Sequence, residues 1–421
     1  MKSVFYPIVS AAAMLLANAG TSENSARAAS PKTFTISIDR AAWQKWGFRY
    51  PVTYVFRLPA VPSNLEVQRR DGPSGTWAPL AKKTSADFFN GIECVRLDSA
   101  KNAACVSVGF GTTNTIDLRF PSVASVSFDS AAKYYDDRKA AYTLSNDNWG
   151  KNPTARPGAA WQGPTSDASD KYQAAIHACR QFHLPLSIAI NSGSAPDKAM
   201  WQRMQEELDR EDLSWEPAVH TRTHPCSVNA YSVQGYQKEI LGCRDDILKN
   251  LRKIPYGQHV FEYILPCGYH DNLLAATAAG EFLFLRAFNG HDNPASIGYG
   301  AWNPKHRYYD QAGYETKSYD SVLERRPPKG RYYAAGVALL NAAFDAVYQK
   351  GGVFYAMWHS DRYENSVIHD PRPGVDGVAG SILIRHFAHV ANRRDVWCAA
   401  NGWLYSYHYV AQNAKVTGRS E

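Results

Sequence analysis

The sequence predicts an α/β protein, in which a (β/α) barrel follows a small antiparallel β-sandwich-like domain. Two patterns predict this class. From residue 140 onward, short apolar runs alternate with helical segments, which implies parallel strands joined by right-handed crossovers. Before that point, apolar residues alternate with a period of two between turn residues, as is typical of antiparallel strands. We therefore expect two domains, at 31–130 and 135–421.

The first 28 residues are predicted to be an export signal. Lys2 precedes an apolar stretch from Val4 to Leu16, and small residues at 17–19 and 26–28 offer cleavage sites. The stretch is too short for a comfortable membrane span. We expect a secreted or periplasmic protein with no stable membrane span, and an uncleaved anchor is the alternative.

The seven cysteines fit an oxidising compartment. Cys94 and Cys105 flank a predicted turn, so a Cys94–Cys105 disulfide is expected. Cys226–Cys243 is the second expected pair. The odd count leaves at least one thiol outside these pairs.

The domain at 31–130 contains three clear strand patterns, at 33–38, 52–58 and 105–110. Proline- and glycine-containing turns separate them, which favours a small antiparallel sandwich. Such a domain either binds carbohydrate or caps the catalytic domain, and the sequence leaves both roles open.

The barrel domain alternates predicted strands with predicted helices. The strands are expected at 140–145, 184–191, 214–220, 261–266, 282–289, 352–359 and 395–400. The helices are expected at 169–183, 196–210, 231–252, 271–280, 334–350, 379–393 and 402–413. Two long loops, at 146–165 and 290–331, are rich in aromatic and turn residues, and we expect them to border a groove.

Composition narrows the classes of partner. A hydrophobic fraction of 45% with 20% charged residues is typical of a globular chain. The net charge of +7 is a mild excess that favours acidic polymers. Lysine and arginine form no dense run, so a nucleic-acid partner is not expected. The 25 tyrosines and 11 tryptophans suit flat contacts with sugar rings, or alternatively a large aromatic core.

Chemically active residues follow four of the predicted strands. Asp147 follows the first, and His220 and His224 end an apolar run four residues apart, a spacing that brings two imidazoles to one metal ion. A hydrogen-bonded histidine pair is the alternative. Pro266 and its neighbours follow another strand, and His359 ends the run that begins at Val353. The carboxyl ends of barrel strands are where active sites form.

These segments, in this order, resemble the polysaccharide deacetylase family, carbohydrate esterase family 4. The resemblance covers roughly residues 140–413, including a closing segment from Asp395 to Val410 that is similar to the last strand and helix of the family. It implies a distorted (β/α) barrel and a metal-dependent hydrolase that removes N- or O-acetyl groups from a polysaccharide. It also implies a divalent metal cofactor, Zn²⁺ being the expected ion.

By this resemblance, Asp147, His220 and His224 bind the metal, and His359 is the general acid. Asp147 is also a candidate catalytic residue. The family's first motif contains two adjacent aspartates, of which the first is the base and the second binds the metal, and Asp147 could stand at either position. Here the motif reads Asn146-Asp147-Asn148, so only one of the two positions holds a carboxylate. If Asp147 is the ligand, Asn146 stands at the base position; if it is the base, Asn148 is a poor neutral ligand.

A second departure concerns the third motif. The family has an arginine two residues before the proline, where it contacts the catalytic aspartate, and this chain has Ile264 there. The paired absence of the first aspartate and this arginine favours the ligand role for Asp147. His270 and Asp271 are candidates for a replacement base.

Substrate contacts are expected from side chains around these motifs, namely Asn146, Trp149, Pro266, Gly268 and Trp358. Two alternatives to a deacetylase remain from the sequence. One is a non-hydrolytic polysaccharide-binding protein on the same fold, and the other is a polysaccharide lyase.

Overall fold

The computed structural model describes most of the chain between Lys32 and Ser420. The described residues are 32–38, 48, 50–83, 91–149, 176, 178–194, 198–210, 215–226, 231–252, 254, 259–268, 271–288, 299–305, 307–315, 331–358, 382–391 and 393–420. The predicted signal segment lies outside them. No helix in these ranges combines the length and the apolar character that a membrane crossing requires.

The first part of the chain forms antiparallel strands, as predicted. Their bounds are β1 Lys32–Ile38, β2 Val52–Arg57, β3 Gln68–Asp71, β4 Ala78–Pro79, β5 Cys94–Asp98, β6 Ala103–Val108, β7 Thr115–Phe120 and β8 Ser127–Ala131. The buried residues of β1 largely alternate with partly exposed ones, which is the period of a strand with one face in the core.

The second part alternates strands with helices. The strands are β9 Ala140–Trp149, β10 Leu186–Ile190, β11 Trp215–Val219, β12 Glu262–Ile264, β13 Phe284–Phe288, β14 Ala301–Asn303, β15 Tyr308–Glu315, β16 Val353–Trp358, β17 Val396–Cys398 and β18 Ala414–Ser420. The helices are α1 Lys198–Asp209, α2 Val233–Asn250, α3 Asn272–Ala278, α4 Arg331–Gln349, α5 Ile382–Ala391 and α6 Asn401–Asn413.

Parallel pairing curls the central sheet into a distorted barrel, which confirms the predicted fold class. Its strands follow the order β10-β11-β12-β13-β15-β16-β9-β17, and β9 also pairs with β10, which joins the two sides of the sheet. β9 is the longest strand and pairs with β17 near its start and with β10 near its end. The carboxyl ends of these parallel strands therefore lie on one face.

The structure corrects the predicted loop at 290–331. Its residues Tyr308–Glu315 form β15, which pairs in parallel with both β13 and β16 and so completes the barrel wall. β14 pairs with β15 as an antiparallel hairpin. The stretch is rich in tyrosine, asparagine, glycine and proline, a composition typical of loops, so the sequence did not indicate this strand.

The sandwich uses strands from both sides of the barrel sequence. One sheet has the order β18-β1-β7-β3-β4 and the other β5-β6-β2-β8. β18 is the last strand, and it pairs with β1 along its whole length, from Lys32 opposite Ser420 to Ile38 opposite Ala414. Residues 414–420, assigned from sequence to the barrel domain, thus belong to a sheet of the sandwich.

One aromatic core joins the sandwich to the barrel. Trp403 of α6 is buried, stacks on Tyr50 of the sandwich at 4.3 Å between ring centroids, and meets Trp397 of β17 edge-on at 5.5 Å. The Tyr407 hydroxyl, on the same helix, donates a hydrogen bond of 2.8 Å to the Ala132 carbonyl. α6 therefore fixes the two sheet systems against each other.

The cysteine pairing differs from both predicted disulfides. Cys94 lies opposite Ser107 and Cys105 lies opposite Arg96, so the two thiols are offset by two residues along neighbouring strands and are not joined. Cys243 is buried in α2, where its thiol donates to the Ile190 carbonyl at 3.2 Å.

Cys226 bonds to Cys267 instead, with 5.4 Å between the Cα atoms. The predicted Cys226–Cys243 pair is therefore wrong, because Cys226 lies on an exposed loop at the rim of the barrel whereas Cys243 faces the core.

We predict that Trp403→Ala lowers the free energy of unfolding by about 3–5 kcal/mol, the usual cost of emptying a large buried aromatic site. Because the ring contacts both sheet systems, sandwich and barrel should lose stability together in one denaturant transition. Leu339→Ala, which truncates a half-exposed side chain on α4, should shift the transition by less than about 0.5 kcal/mol. Two separate transitions for Trp403→Ala would contradict the shared core.

Candidate active site

His220 directly follows β11 and points into the barrel rim. Its side chain is buried, and its Nδ1 atom lies 2.8 Å from the Ile264 carbonyl of β12. A carbonyl only accepts hydrogen bonds, so Nδ1 carries the proton and Nε2 holds the ring lone pair. Metal-binding histidines are typically oriented by such a bond, because it fixes the tautomer that leaves the other nitrogen for the ion.

A tight turn brings His224 back to His220. Thr221 and His224 both adopt positive φ, at 66° and 60°, and the Thr221 hydroxyl accepts a 3.0 Å hydrogen bond from the His224 backbone N–H. A β-branched residue rarely adopts this conformation, so the surrounding contacts must hold it. The two imidazole rings lie 4.8 Å apart between centroids, at 75° to each other.

Further polar contacts stabilise this turn. The Asn191 side-chain amide donates to the Thr221 carbonyl at 3.3 Å, and the Thr223 hydroxyl donates to Glu239 at 2.8 Å. Arg222 forms a two-pronged ion pair with Asp246 of α2, with N–O distances of 2.8 and 2.7 Å. The turn that carries the histidine pair is therefore tied to the preceding strand and to the helix behind it.

Asp147, near the end of β9, is buried in an ion pair with Arg286 of β13. Its other carboxylate oxygen accepts a 3.1 Å hydrogen bond from the Ser145 hydroxyl. The Ser145 oxygen lies 2.7 Å from the Tyr355 hydroxyl, and because the single serine proton goes to Asp147, Tyr355 donates to Ser145. Burial is the largest single influence and acts to lower the pKa of Arg286, but the charge and hydrogen bond of Asp147, together with Tyr355 and Glu262, raise the pKa overall.

Arg286 gives Asp147 an arginine partner, although the third motif itself carries Ile264. It lies in direct register with Ile264 on the neighbouring strand, so the guanidinium comes from one strand further along the barrel. The sequence offered one signal, an arginine inside the apolar run from Phe282 to Phe288, where burial requires a carboxylate partner. The missing motif arginine therefore gives less support to the ligand role of Asp147, and that role stays a prediction.

Two further carboxyl groups lie below this pair, inside the barrel. Glu216 accepts hydrogen bonds from the Ser187 hydroxyl at 2.8 Å and from the Gly402 backbone N–H at the start of α6. A helix amino terminus stabilises negative charge, so Glu216 is the natural site for the anion.

Glu262 accepts a 2.7 Å bond from the Asn401 amide. Burial, and next the charge of Glu216, raise the pKa of Glu262 well above its ordinary value, so this group is held neutral.

The structure places several of the other predicted site residues at the ends of strands, and their roles stay predictions. Asn146 is fully buried, and Pro266 is buried in a short 3-10 turn at the end of β12, in which Gly268 is half-buried at φ 66°. Asp271 caps α3 by accepting from the Leu274 N–H at 2.6 Å.

Trp149 and Trp358 end β9 and β16, but their side chains lie outside the described part of the structure, as do His359 and His270 altogether.

Within the described residues, the metal-capable donor atoms that lie within 4.8 Å of one another belong to His224, Cys226 and Cys267. Asp147 is not part of this group. Its oxygens instead face Arg286 and Ser145, as described above.

The chain was compared with known proteins. No family model matches the sequence, and no curated protein matches it. Solved structures similar in fold include polysaccharide deacetylases. A protein assigned as a polysaccharide deacetylase from Mycobacterium smegmatis is 15% identical, with a TM-score of 0.44, over 68% of this chain and 96% of that one.

Two other solved structures illustrate the range of activities among these neighbours. An allantoinase is 12% identical, with a TM-score of 0.46, over 67% of this chain and 94% of its own. A pseudoenzyme of carbohydrate esterase family 4 from Bacillus anthracis is 8% identical, with a TM-score of 0.35, over 66% of this chain and 69% of its own.

We predict that Arg286→Met lowers the free energy of unfolding by about 3–5 kcal/mol at neutral pH, because it leaves the Asp147 carboxylate buried without a counter-charge. Adding Asp147→Leu should restore most of the loss, since an apolar pair replaces the ion pair. Urea denaturation of the single and double variants measures both values. A double variant no more stable than Arg286→Met would contradict this account.

We predict that the neutral Glu262 makes stability depend on pH. The unfolded chain ionises this group above its ordinary pKa of 4.5, whereas the folded chain keeps the proton. The stabilisation is therefore complete below that pH and is lost as pH rises towards the raised pKa, by about 1.4 kcal/mol per pH unit. Glu262→Gln should remove this slope in denaturation curves measured upward from pH 4.5. If the free energy of unfolding changed with pH in the same way in the unmodified protein and in Glu262→Gln, Glu262 would be ionised in the folded chain and the prediction would be wrong.

Proposed function

We propose that the chain is a metal-dependent hydrolase that removes acetyl groups from a polysaccharide. The observation that carries the proposal is the His220–His224 pair, with ring centroids 4.8 Å apart at the carboxyl end of β11. The buried Asp147–Arg286 pair lies in the same barrel, and Ile264 links the two, since its carbonyl contacts His220 and its strand pairs with that of Arg286. The four-motif resemblance described from the sequence supports the same reaction.

The histidine pair fits a divalent metal ion. His220 donates through Nδ1 to a backbone carbonyl, and its Nε2 atom is buried at the rim, which suits Zn²⁺ or a similar ion. Such an ion, when bound, would polarise the acetyl carbonyl and acidify a water molecule. The expected holders are His220 and His224, which contribute two neutral nitrogens.

Asp147 is assigned here to the proton-accepting role. Its carboxylate is oriented by Arg286 and Ser145. Arg286 places positive charge beside the carboxylate, as the family's arginine does for its catalytic base. If Asp147 is the base, Asn148 occupies the position of the family's ligand aspartate. Its amide is neutral, so we expect the site to bind its metal ion weakly.

The remaining parts of the proposal come from the sequence. His359 returns a proton to the leaving amine or alcohol, and Trp149 and Trp358 contact sugar rings beside the strand ends. Export through residues 1–28 puts the enzyme where acetylated polysaccharides occur, and the net charge of +7 favours acidic ones. The sandwich either binds glycan or caps the barrel.

The test is acetate release from acetylated polysaccharides by the chain without residues 1–28, with and without a chelator. Activity should disappear with the chelator and return with Zn²⁺. His220→Ala should lose both bound metal and acetate release, whereas His183→Asn, at an exposed position, should keep both. Acetate release that persists in His220→Ala would exclude the proposed site. Saccharide binding without acetate in the loaded protein would favour the non-hydrolytic alternative.

The role of Asp147 has its own prediction. Asp147→Asn should lower kcat by about 10²–10⁴-fold, the usual contribution of a general base, while the metal content stays at the level of the unmodified protein. Loss of the metal together with the activity would return Asp147 to the ligand role. Metal content after dialysis and kcat on one substrate decide between the two roles.

A further inference from the structure

The rim of the barrel holds a second set of metal-binding atoms, which shares His224 with the histidine pair. Cys226 follows His224 by two residues, and Cys267 lies in the 3-10 turn after β12. We propose that His224, Cys226 and Cys267 form a site for a thiolate-binding ion, such as Zn²⁺ or Cd²⁺, which the Cys226–Cys267 disulfide masks. The proposal does not depend on hydrolase activity.

The distances suit a tetrahedral ion. His224 Nδ1 lies 3.4 Å from the Cys226 sulfur, and the three donor atoms all lie within 4.8 Å of one another. With Zn–S bonds of about 2.3 Å and Zn–N bonds of about 2.0–2.1 Å, tetrahedral ligands lie about 3.6–3.8 Å apart. The sulfurs need to separate only to this distance once the disulfide opens, and Cα atoms 5.4 Å apart leave them that freedom.

Both segments are held in place independently of the disulfide. The turn that carries His224 is fixed by the Thr221 hydroxyl and by the Arg222–Asp246 ion pair. The turn that carries Cys267 continues from β12 and is closed by a 3.1 Å bond from the Gly268 N–H to the Leu265 carbonyl. Opening the disulfide therefore leaves the three donors close together.

The chemistry balances with a dithiol reductant. The reductant forms its own disulfide while the Cys226–Cys267 bond breaks, and the two hydrogens pass to the two cysteine sulfurs. A divalent ion then replaces both thiol protons, which are released to the solvent. Two thiolates and an imidazole favour a soft or borderline ion, and a water molecule can complete the four positions.

The other cysteines do not compete for this ion. All five are buried, and burial raises the pKa of Cys243 to about 11 and of Cys105 and Cys398 to about 12, so they persist as inert thiols. Cys226 and Cys267 are exposed at the rim, where both a reductant and an ion can reach them.

The experiment compares the oxidised and the reduced full-length chain. The protein is reduced with a dithiol, separated from it by gel filtration without oxygen, and titrated with Cd²⁺ while near-ultraviolet thiolate-to-metal absorption is recorded. We expect the reduced chain to bind about one more ion than the oxidised chain, with this absorption. No extra ion, or an extra ion without thiolate absorption, would overturn the proposal.

Three variants locate the site. The double variant Cys226→Ser, Cys267→Ser should lose the extra ion, and His224→Ala should bind it more weakly. His220→Ala should keep it, which separates this site from the proposed hydrolytic one. If the double variant fails to fold, as judged by circular dichroism, alkylation of the reduced native chain at these two exposed thiols serves instead. Retention of the extra ion after either treatment would refute the assignment.

Discussion

The ion pair between Asp147 and Arg286 sets the arrangement of the barrel interior. Both groups are almost completely withdrawn from water, and neither is tolerated there without the other. The groups around them complete the balance of charge. Ser145 and Tyr355 supply the remaining hydrogen bonds, the amino terminus of α6 supports Glu216, and Glu262 keeps its proton. These contacts orient the Asp147 carboxylate near the end of β9, and each charged group among them has a partner of opposite charge or a hydrogen-bond donor or acceptor.

The histidine pair could be predicted from the sequence because its members belong to one short segment beside one strand. Arg286 could not be assigned to Asp147 in the same way, since the partners are 139 residues apart and meet only through strand register. The difference is physical. Spacing within a turn follows from local geometry, whereas a contact across a barrel depends on how every intervening strand is aligned. The same reason explains why Ile264 in the third motif did not indicate that Asp147 has an arginine partner.

The fold class was confirmed because alternation of strands and helices is encoded locally, in hydrophobic periodicity and in caps such as Ser232 and Asp271. β15 was missed because its tyrosines and glycine resemble a loop until two flanking strands supply hydrogen bonds. The Cys226–Cys267 disulfide was missed for a related reason. The pairing depends on which two turns lie next to each other at the barrel rim, and this cannot be read from the number of residues between the cysteines.

The pairing of β1 with β18 has a consequence for the order of assembly. The ribosome makes β1 before the barrel sequence and β18 after it, so one edge of the sandwich stays open until the whole barrel sequence has emerged. An unpaired edge strand recruits other chains. The sandwich therefore cannot finish folding before the barrel sequence has been made, and a chain that lacks residues 414–420 would leave the edge of β1 unpaired permanently.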